Sequence, residues 1–431
     1  MPIKDMVYDR KIGRKIFFLI SLQVILYFAC VLARIDARPL LNLDFFIVSA
    51  IINKFRKIGL LLFVVAVLVA LFDIVASAYH FDIVPFAMSF DNLSFDILES
   101  NWLIILTLFI ISFIILGFGY NYLALPPRVS FSLVILVIFI DATLGTSDTI
   151  RLSDNKFNLN GLDFAYSGFN RVYVQIKNIT IPKATQEISI ADSAFSKLNI
   201  KEDRSVILLI VESLGARSNK FGEDHYGYNN SFAKLSYLKV VSNGVVSTHG
   251  STVSGELREL CGIAADGYYK NIDYKKCLVW KFREKNYLTI GAHSYRSSMF
   301  DRKKWWSHIG FENSIFKEDV LNEYPLCRGA LSALCDQNML EGEIKKINPY
   351  RPFLLYYLTA NTHLPLPMGV DANKLFNENL QDLLGAIERA LIYKNIYEVD
   401  VVVVGDHPPP FIGENRDNYQ TNRVPYWILS P

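Results

Sequence analysis

The sequence predicts an N-terminal helical membrane domain of about five transmembrane helices followed by an α/β domain with a mainly parallel central sheet. Three observations predict it. Hydrophobic residues make up 51% of the 431-residue chain and crowd into its first third. Beyond residue 204, short β-branched runs alternate with helix-like segments. Each of those runs ends in a residue suited to binding or catalysis. Charge excludes one class of function: a formal net charge of +2, without an aromatic-and-basic stripe, does not make a nucleic-acid surface.

Residues 1–145 form the expected membrane domain. Apolar runs occur at Ile16 to Ala33, Leu40 to Ile52, Ile58 to Tyr79, Trp102 to Tyr122 and Val129 to Leu144. Three reach the ~18 residues that span hydrocarbon outright, and two are short. The first has no small-residue cleavage site and more runs follow it, so it is not a cleaved signal peptide. Arg10, Lys11, Arg14 and Lys15 precede the first run, Lys54, Arg56 and Lys57 follow the second, and Arg128 follows the fourth. The loop from His80 to Asn101 has four acids and no Lys or Arg. Short cytoplasmic loops carry the basic excess, so five spans put the rest of the chain outside the cytoplasm. Arg34 and Arg38 are the misfit. If the short second run did not cross, the α/β domain would lie in the cytoplasm.

Residues 146–203 are polar and irregular and read as a connector along the membrane surface. The α/β domain then takes 204–431. Its apolar runs are Val206 to Val211, Tyr287 to Ile290, Phe353 to Leu358 and Val399 to Val404. Continuous runs of this kind are strands buried on both faces, the habit of a parallel sheet between helix layers. They end in VES with Glu212, AHS with His293, NTH with His363, and GDH with Asp406 and His407. Ligands bind beyond the carboxyl ends of such strands, so these endings converge on one edge and point to a metal site. Singly, a Glu there is an ordinary helix N-terminal charge and a lone His an ordinary structural residue. Pro408, Pro409 and Pro410 stiffen the turn that holds the last pair.

The nucleophile is sought in STHGSTVSGELRELCG, residues 247–262, where small hydroxyl residues lead into a helical pattern. Helix-start N–H groups face a phosphate well, and a hydroxyl bound to a divalent cation becomes nucleophilic. Thr252 is the choice; the plain alternative is that Ser251 or Thr252 caps the helix. Four cysteines, Cys261, Cys277, Cys327 and Cys335, lie in this domain without C-x-x-C spacing. They allow three pairings, of which the local ones, 261 with 277 and 327 with 335, suit an oxidising compartment; buried free thiols are the alternative.

The order of these motifs resembles the membrane-bound sulfatase-like transferases of the alkaline-phosphatase superfamily. These include lipoteichoic acid synthases, lipid A phosphoethanolamine transferases and periplasmic glucan phosphoglycerol transferases. The resemblance covers the whole chain, since they too place five spans before an α/β domain. It implies Glu212, Thr252, Asp406 and His407 as metal ligands, with Thr252 also the nucleophile. TVSGELRELCG is similar to the nucleophile helix of the glucan transferases, and Cys277-Leu278 fits their disulfide. His293 and Arg302 match positions that contact phosphate and head group, Phe300 matches an aromatic there, and His363 in NTHLP matches a proton donor. True sulfatases carry a C/S-x-P-x-R motif, which is absent; Ser254 to Arg258 lacks the Pro. The chain ends soon after VPYWILSP, so the C-terminal element that relatives use to wall the site is expected to be missing.

The resemblance implies one divalent cation, zinc or manganese, and a two-step transfer of phosphoethanolamine or phosphoglycerol from a membrane phospholipid to a cell-envelope glycan or glycolipid. A monomer in the bacterial inner membrane with a periplasmic catalytic domain is expected. The rivals are a membrane-anchored binder of glycan or head group without turnover, and a sulfatase-like phosphodiester hydrolase. A binder needs no nucleophile beside a metal.

Overall fold

In the computed structural model the described residues are 11–24, 41–78, 123–144, the pairs 165–166, 172–173 and 189–190, and most of 192–431. Within the last range the gaps are 200, 202, 219–226, 249–251, 265–271, 328, 349, 365, 367–369, 410–417 and 421. The chain forms two compact units, Met1–Met88 with Leu98–Ile181, and Ser89–Ile97 with Pro182–Pro431.

In the first unit, helices α1 (Leu43–Lys54), α2 (Arg56–Ala78) and α3 (Pro127–Leu144) follow the apolar runs. Asn42 caps α1 by accepting from the Asp44 N–H at 2.9 Å. Phe45, Phe46, Phe63, Ala66 and Val67 are buried among the helices, with the rings of Phe45 and Phe63 5.3 Å apart. Leu61, Leu68, Phe131, Ile135 and Phe139 are exposed. Among the described residues no helix is long and apolar enough to cross a membrane. The expectation of five spans is thus not met by the described helices. The side chains of α2 are described only as far as Phe72, and Trp102 to Tyr122, Cys30 and most of 146–203 lie outside the described residues.

The second unit is built on a seven-stranded sheet. Its strands are β1 (Ser205–Val211), β2 (Lys239–Ser247), β3 (Leu288–His293), β4 (Asn313–Phe316), β5 (Phe353–Leu358), β6 (Val399–Gly405) and β7 (Arg423–Ser430), in the order β2-β7-β6-β1-β5-β3-β4. The five from β6 to β4 run parallel, and β7 and β2 add antiparallel strands at one side. The sheet is therefore mainly parallel, and its four central strands are the runs singled out by sequence.

Alternation along β1 shows why those runs are continuously apolar. Ile207, Leu209 and Val211 enter one core, with Met339 and Leu340 of α7 (Asp336–Lys346) and Leu380 and Leu384 of α8 (Ala372–Lys394). Val206, Leu208 and Ile210 enter the other, with Leu257 of α4 (Thr252–Cys261), Val279 of α5 (Leu278–Glu284) and Trp306 of α6 (Arg302–Ile309). Both faces are covered, as a parallel sheet requires. Helix α8 starts on Asp371, which accepts from the Asn373 and Lys374 N–H groups, and stops at Asn395 in the left-handed region.

Candidate active site

Strands β1 and β6 are parallel neighbours with Val211 opposite Gly405, so the next residues of each, Glu212 and Asp406, leave the sheet side by side. Ser213, directly after Glu212, takes φ 57°, a left-handed conformation that a serine adopts at a cost. That turn lets the Ser213 N–H donate to Asp406 Oδ1 at 2.7 Å and its hydroxyl to Glu212 Oε1 at 3.0 Å. The strand end after β5 wraps Glu212 from its other side. Thr359 Oγ1 accepts from the Glu212 N–H at 2.9 Å, and the Thr362 hydroxyl donates to the Glu212 carbonyl at 2.6 Å.

His407 completes the group. Its Nδ1 donates to the Pro408 carbonyl at 2.9 Å, which leaves Nε2 facing Asp406 Oδ2 at 3.3 Å and Glu212 Oε1 at 3.4 Å. Ligand atoms of Glu212, Asp406 and His407 lie within 4.8 Å of one another. Thr252, the first residue of α4, donates its hydroxyl to Glu212 Oε2 at 3.2 Å and sits 3.5 Å from His407 Nε2. Gly255 lets this helix come so close: a Cβ there would stand 2.9 Å from Asp406 Cα.

These residues fit a divalent cation. Asp406 Oδ2 is buried without a hydrogen-bond partner, an expensive state for a carboxylate oxygen unless a positive charge faces it. Two carboxylates, one imidazole nitrogen and a hydroxyl form a donor set that suits zinc or manganese. The electrostatics agree. Burial and the Glu212 charge push the Asp406 carboxyl up to about 7. Burial would raise Glu212 too, but its bond to His407 and the fields of His363 and His407 outweigh that and hold it well below the carboxylate range. Burial opposes charge on His407, yet Asp406 and Glu212 raise it to about 10. The pocket selects for positive charge, which the His407 proton supplies when no cation does.

Neither a protein-family profile nor a curated protein sequence matches this chain. Solved structures do. The integral membrane protein lipooligosaccharide phosphoethanolamine transferase A from Neisseria meningitidis is similar over 89% of this chain and 79% of its own, at 12% identity and a TM-score of 0.53. The fold is alkaline-phosphatase-like. Two further similar structures are a Vibrio parahaemolyticus protein of the alkaline phosphatase superfamily and a Streptococcus pyogenes phosphoglycerol transferase. The first is 14% identical, covers 58% of this chain and scores 0.39; this chain spans 64% of its length. The second is 16% identical, covers 56% of this chain and 69% of its own, and scores 0.38.

Within this alkaline-phosphatase-like domain His293, Phe300 and Arg302 form a second group. His293, at the end of β3, donates from Nδ1 to the Leu358 carbonyl at 2.9 Å and receives Arg302 Nη1 on Nε2 at 3.2 Å. Burial and the Arg302 charge hold it well below the usual histidine range, so it is neutral. Phe300 takes φ 57°, and its ring centroid lies 5.1 Å from Arg302 Cζ. His363 donates from Nδ1 to the Leu364 carbonyl at 2.6 Å; burial lowers its pKa although Glu212 acts the other way. Both local cysteine pairings are present as disulfides, Cys261–Cys277 and Cys327–Cys335. Ser251, the alternative cap, lies outside the described residues.

Sequence reasoning missed the charges buried in α4. Arg258 is 1% exposed and holds the turn after β6, donating to the Gly405 carbonyl at 2.7 Å and the Asp406 carbonyl at 3.2 Å. Glu259 accepts from Arg258 at 2.6 Å and from the Ala194 and Phe195 N–H groups. Glu256 meets Arg302. A helix reading ELRE is normally solvated, and only the unbroken burial of Thr252 to Leu260 reveals that this one is not.

Proposed function

We propose that the protein transfers a phospho-alcohol group, phosphoethanolamine or phosphoglycerol, from a membrane phospholipid to a cell-envelope glycan or glycolipid through a phospho-threonine at Thr252. The observation that carries this reading is the Thr252 hydroxyl, 3.2 Å from Glu212 and 3.5 Å from His407 at the start of α4. A helix cap would point at its own backbone; this hydroxyl faces a cation-selective group.

Glu212, Asp406, His407 and the Thr252 oxygen would hold one zinc or manganese ion. When bound, that ion supplies Lewis acidity, which lowers the pKa of the hydroxyl and offsets phosphoryl charge. Thr252 Oγ1 attacks the phosphorus of the lipid phosphodiester, and the bond to the glycerol oxygen of diacylglycerol breaks. His363, neutral beforehand, takes the Thr252 proton and passes it to that leaving oxygen. Arg302 faces the non-bridging oxygens, and His293, with both ring nitrogens bonded to Arg302 and the Leu358 carbonyl, braces its guanidinium. In the second step a sugar hydroxyl gives its proton to His363 and attacks the same phosphorus, the bond to Thr252 Oγ1 breaks, and His363 passes that proton to the Thr252 oxygen.

Anchoring in the inner membrane, with the catalytic domain in the periplasm, raises the effective concentration of donor head groups. The basic residues flanking the apolar runs and the exposed Leu61, Leu68, Phe131, Ile135 and Phe139 support this placement. The two disulfides support an oxidising compartment. Mass spectrometry of the purified chain after incubation with phosphatidylethanolamine or phosphatidylglycerol tests the reading. The peptide holding Thr252 should gain the mass of the matching phospho-alcohol, and an unmodified peptide with both lipids would sink it.

A further inference from the structure

We infer that Glu256 is a positioning residue that holds Arg302, braced against His293, toward the phosphoryl group handled by Thr252. The inference rests on the reading of Thr252 as nucleophile, and its test below separates the two.

Glu256 is fully buried yet completely partnered. Its Oε1 accepts from Arg302 Nε at 2.9 Å and Nη2 at 2.7 Å, and its Oε2 from Trp306 Nε1 at 3.1 Å and the Tyr356 hydroxyl at 3.0 Å. These four donors fill the lone pairs of the carboxylate, so it has nothing left for substrate. Its effect passes through the guanidinium. With Nε and Nη2 held, Arg302 has one fixed attitude, in which Nη1 reaches His293 Nε2 at 3.2 Å. His293 is then fixed as the Nδ1–H tautomer, because Nδ1 is committed to the Leu358 carbonyl.

Stability alone does not explain this arrangement. A buried ion pair about breaks even against apolar residues of the same volume. The left-handed Phe300 beside the guanidinium is a further local cost. Geometry does explain it. Glu256 lies four residues after Thr252 on α4, one turn along the same face. One turn of helix therefore joins the Thr252 oxygen to the carboxylate that sets Arg302. Nucleophile and phosphate-facing cation move as one body, which is what near-attack geometry asks for.

The test uses the full chain in detergent, with nitrogen-labelled histidine and the His293 signal assigned by its loss in His293→Gln. Glu256→Gln should free Arg302 and shift the His293 Nε2 signal, which loses the hydrogen bond from Arg302 Nη1, while Nδ1 stays protonated against the Leu358 carbonyl. It should also lower kcat/KM by about 30-fold or more with metal affinity kept within about 3-fold. Combined with Arg302→Lys it should add almost nothing, since both changes remove one linked arrangement. Glu256→Asp withdraws the carboxylate but keeps the buried charge, and is the variant to read if Glu256→Gln fails to fold. An unchanged His293 signal in the folded variant, or losses that add in the double variant, would overturn the inference. If the wild-type chain transfers nothing from any lipid, the function proposed above fails, and the His293 signal still decides the role of Glu256.

Discussion

The two halves of the site are made in different ways. Glu212, Asp406 and His407 each follow a buried strand by one or two residues, so strand register alone puts them together. Arg302 starts α6 after an irregular segment and owes its place to Glu256 on another helix, at 2.7 Å. The first half is set by the backbone, the second by side-chain charge in the interior. A site residue fixed by a strand end tolerates change around it, while one fixed by a buried ion pair depends on that partner.

The largest effect expected within the first half comes from Thr252→Ala. If Thr252 only caps α4, the loss is about 1 kcal/mol of stability and turnover survives. As nucleophile, its removal should cut transfer by several orders of magnitude while fold and most metal affinity persist. A variant that still transfers at near wild-type rate would dissolve the distinction between the two halves, and Ser254 would be tested next.

Glu212→Gln and Asp406→Asn should lose activity through the metal. Their cation affinity should fall by at least the ~10–100-fold that loss of a supporting partner costs, and part of the activity should return with excess zinc or manganese. Activity changes in Glu256→Gln should not respond to added metal. Recovery of both groups by metal would mean that the halves are one unit.

How far each half was legible follows from the same contrast. VES, AHS, NTH and GDH could be read because continuous apolar strands announce a parallel sheet, and the residues after them share its edge. Strands β2, β4 and β7 went unread: β2 is half-exposed at the sheet edge, β4 is short, and VPYWILS carries a proline. Arg302 was reached only by resemblance, and Glu256, Arg258 and Glu259 not at all. A charged residue carries no mark in sequence of the partner that will bury it, here Arg302 46 residues away from Glu256. The five spans were legible as hydropathy, but their helices are described only in part.

The disulfides sharpen the contrast at a smaller scale. Cys261–Cys277 closes a 16-residue separation at the end of α4, and Cys327–Cys335 an 8-residue one just before α7. Chain entropy gives about 3 and about 2.5 kcal/mol respectively. Replacing the first pair by Ala should therefore lower Tm slightly more than replacing the second, by differential scanning calorimetry. The reverse order would show that the shorter loop supports more than its own closure.

A last effect concerns Asp336, which ties the His363 loop to α7. Its carboxylate accepts from the Ala360 N–H at 3.0 Å and the Asn361 N–H at 2.8 Å, and burial pushes it up from 3.8 to about 6. Between those two values the unfolded chain has already lost this proton while the folded chain keeps it. The native state then binds more protons than the unfolded one, so this group's contribution to stability falls as pH rises across the window. A shift of about 2 units corresponds to roughly 3 kcal/mol at most. Asp336→Asn cannot titrate. Thermal unfolding of wild type and variant should therefore show wild type losing more stability than the variant between about pH 4 and about pH 6.5. Parallel curves across that range would mean that Asp336 is ionised in the folded chain, and that the N–H groups of the His363 loop outweigh its burial.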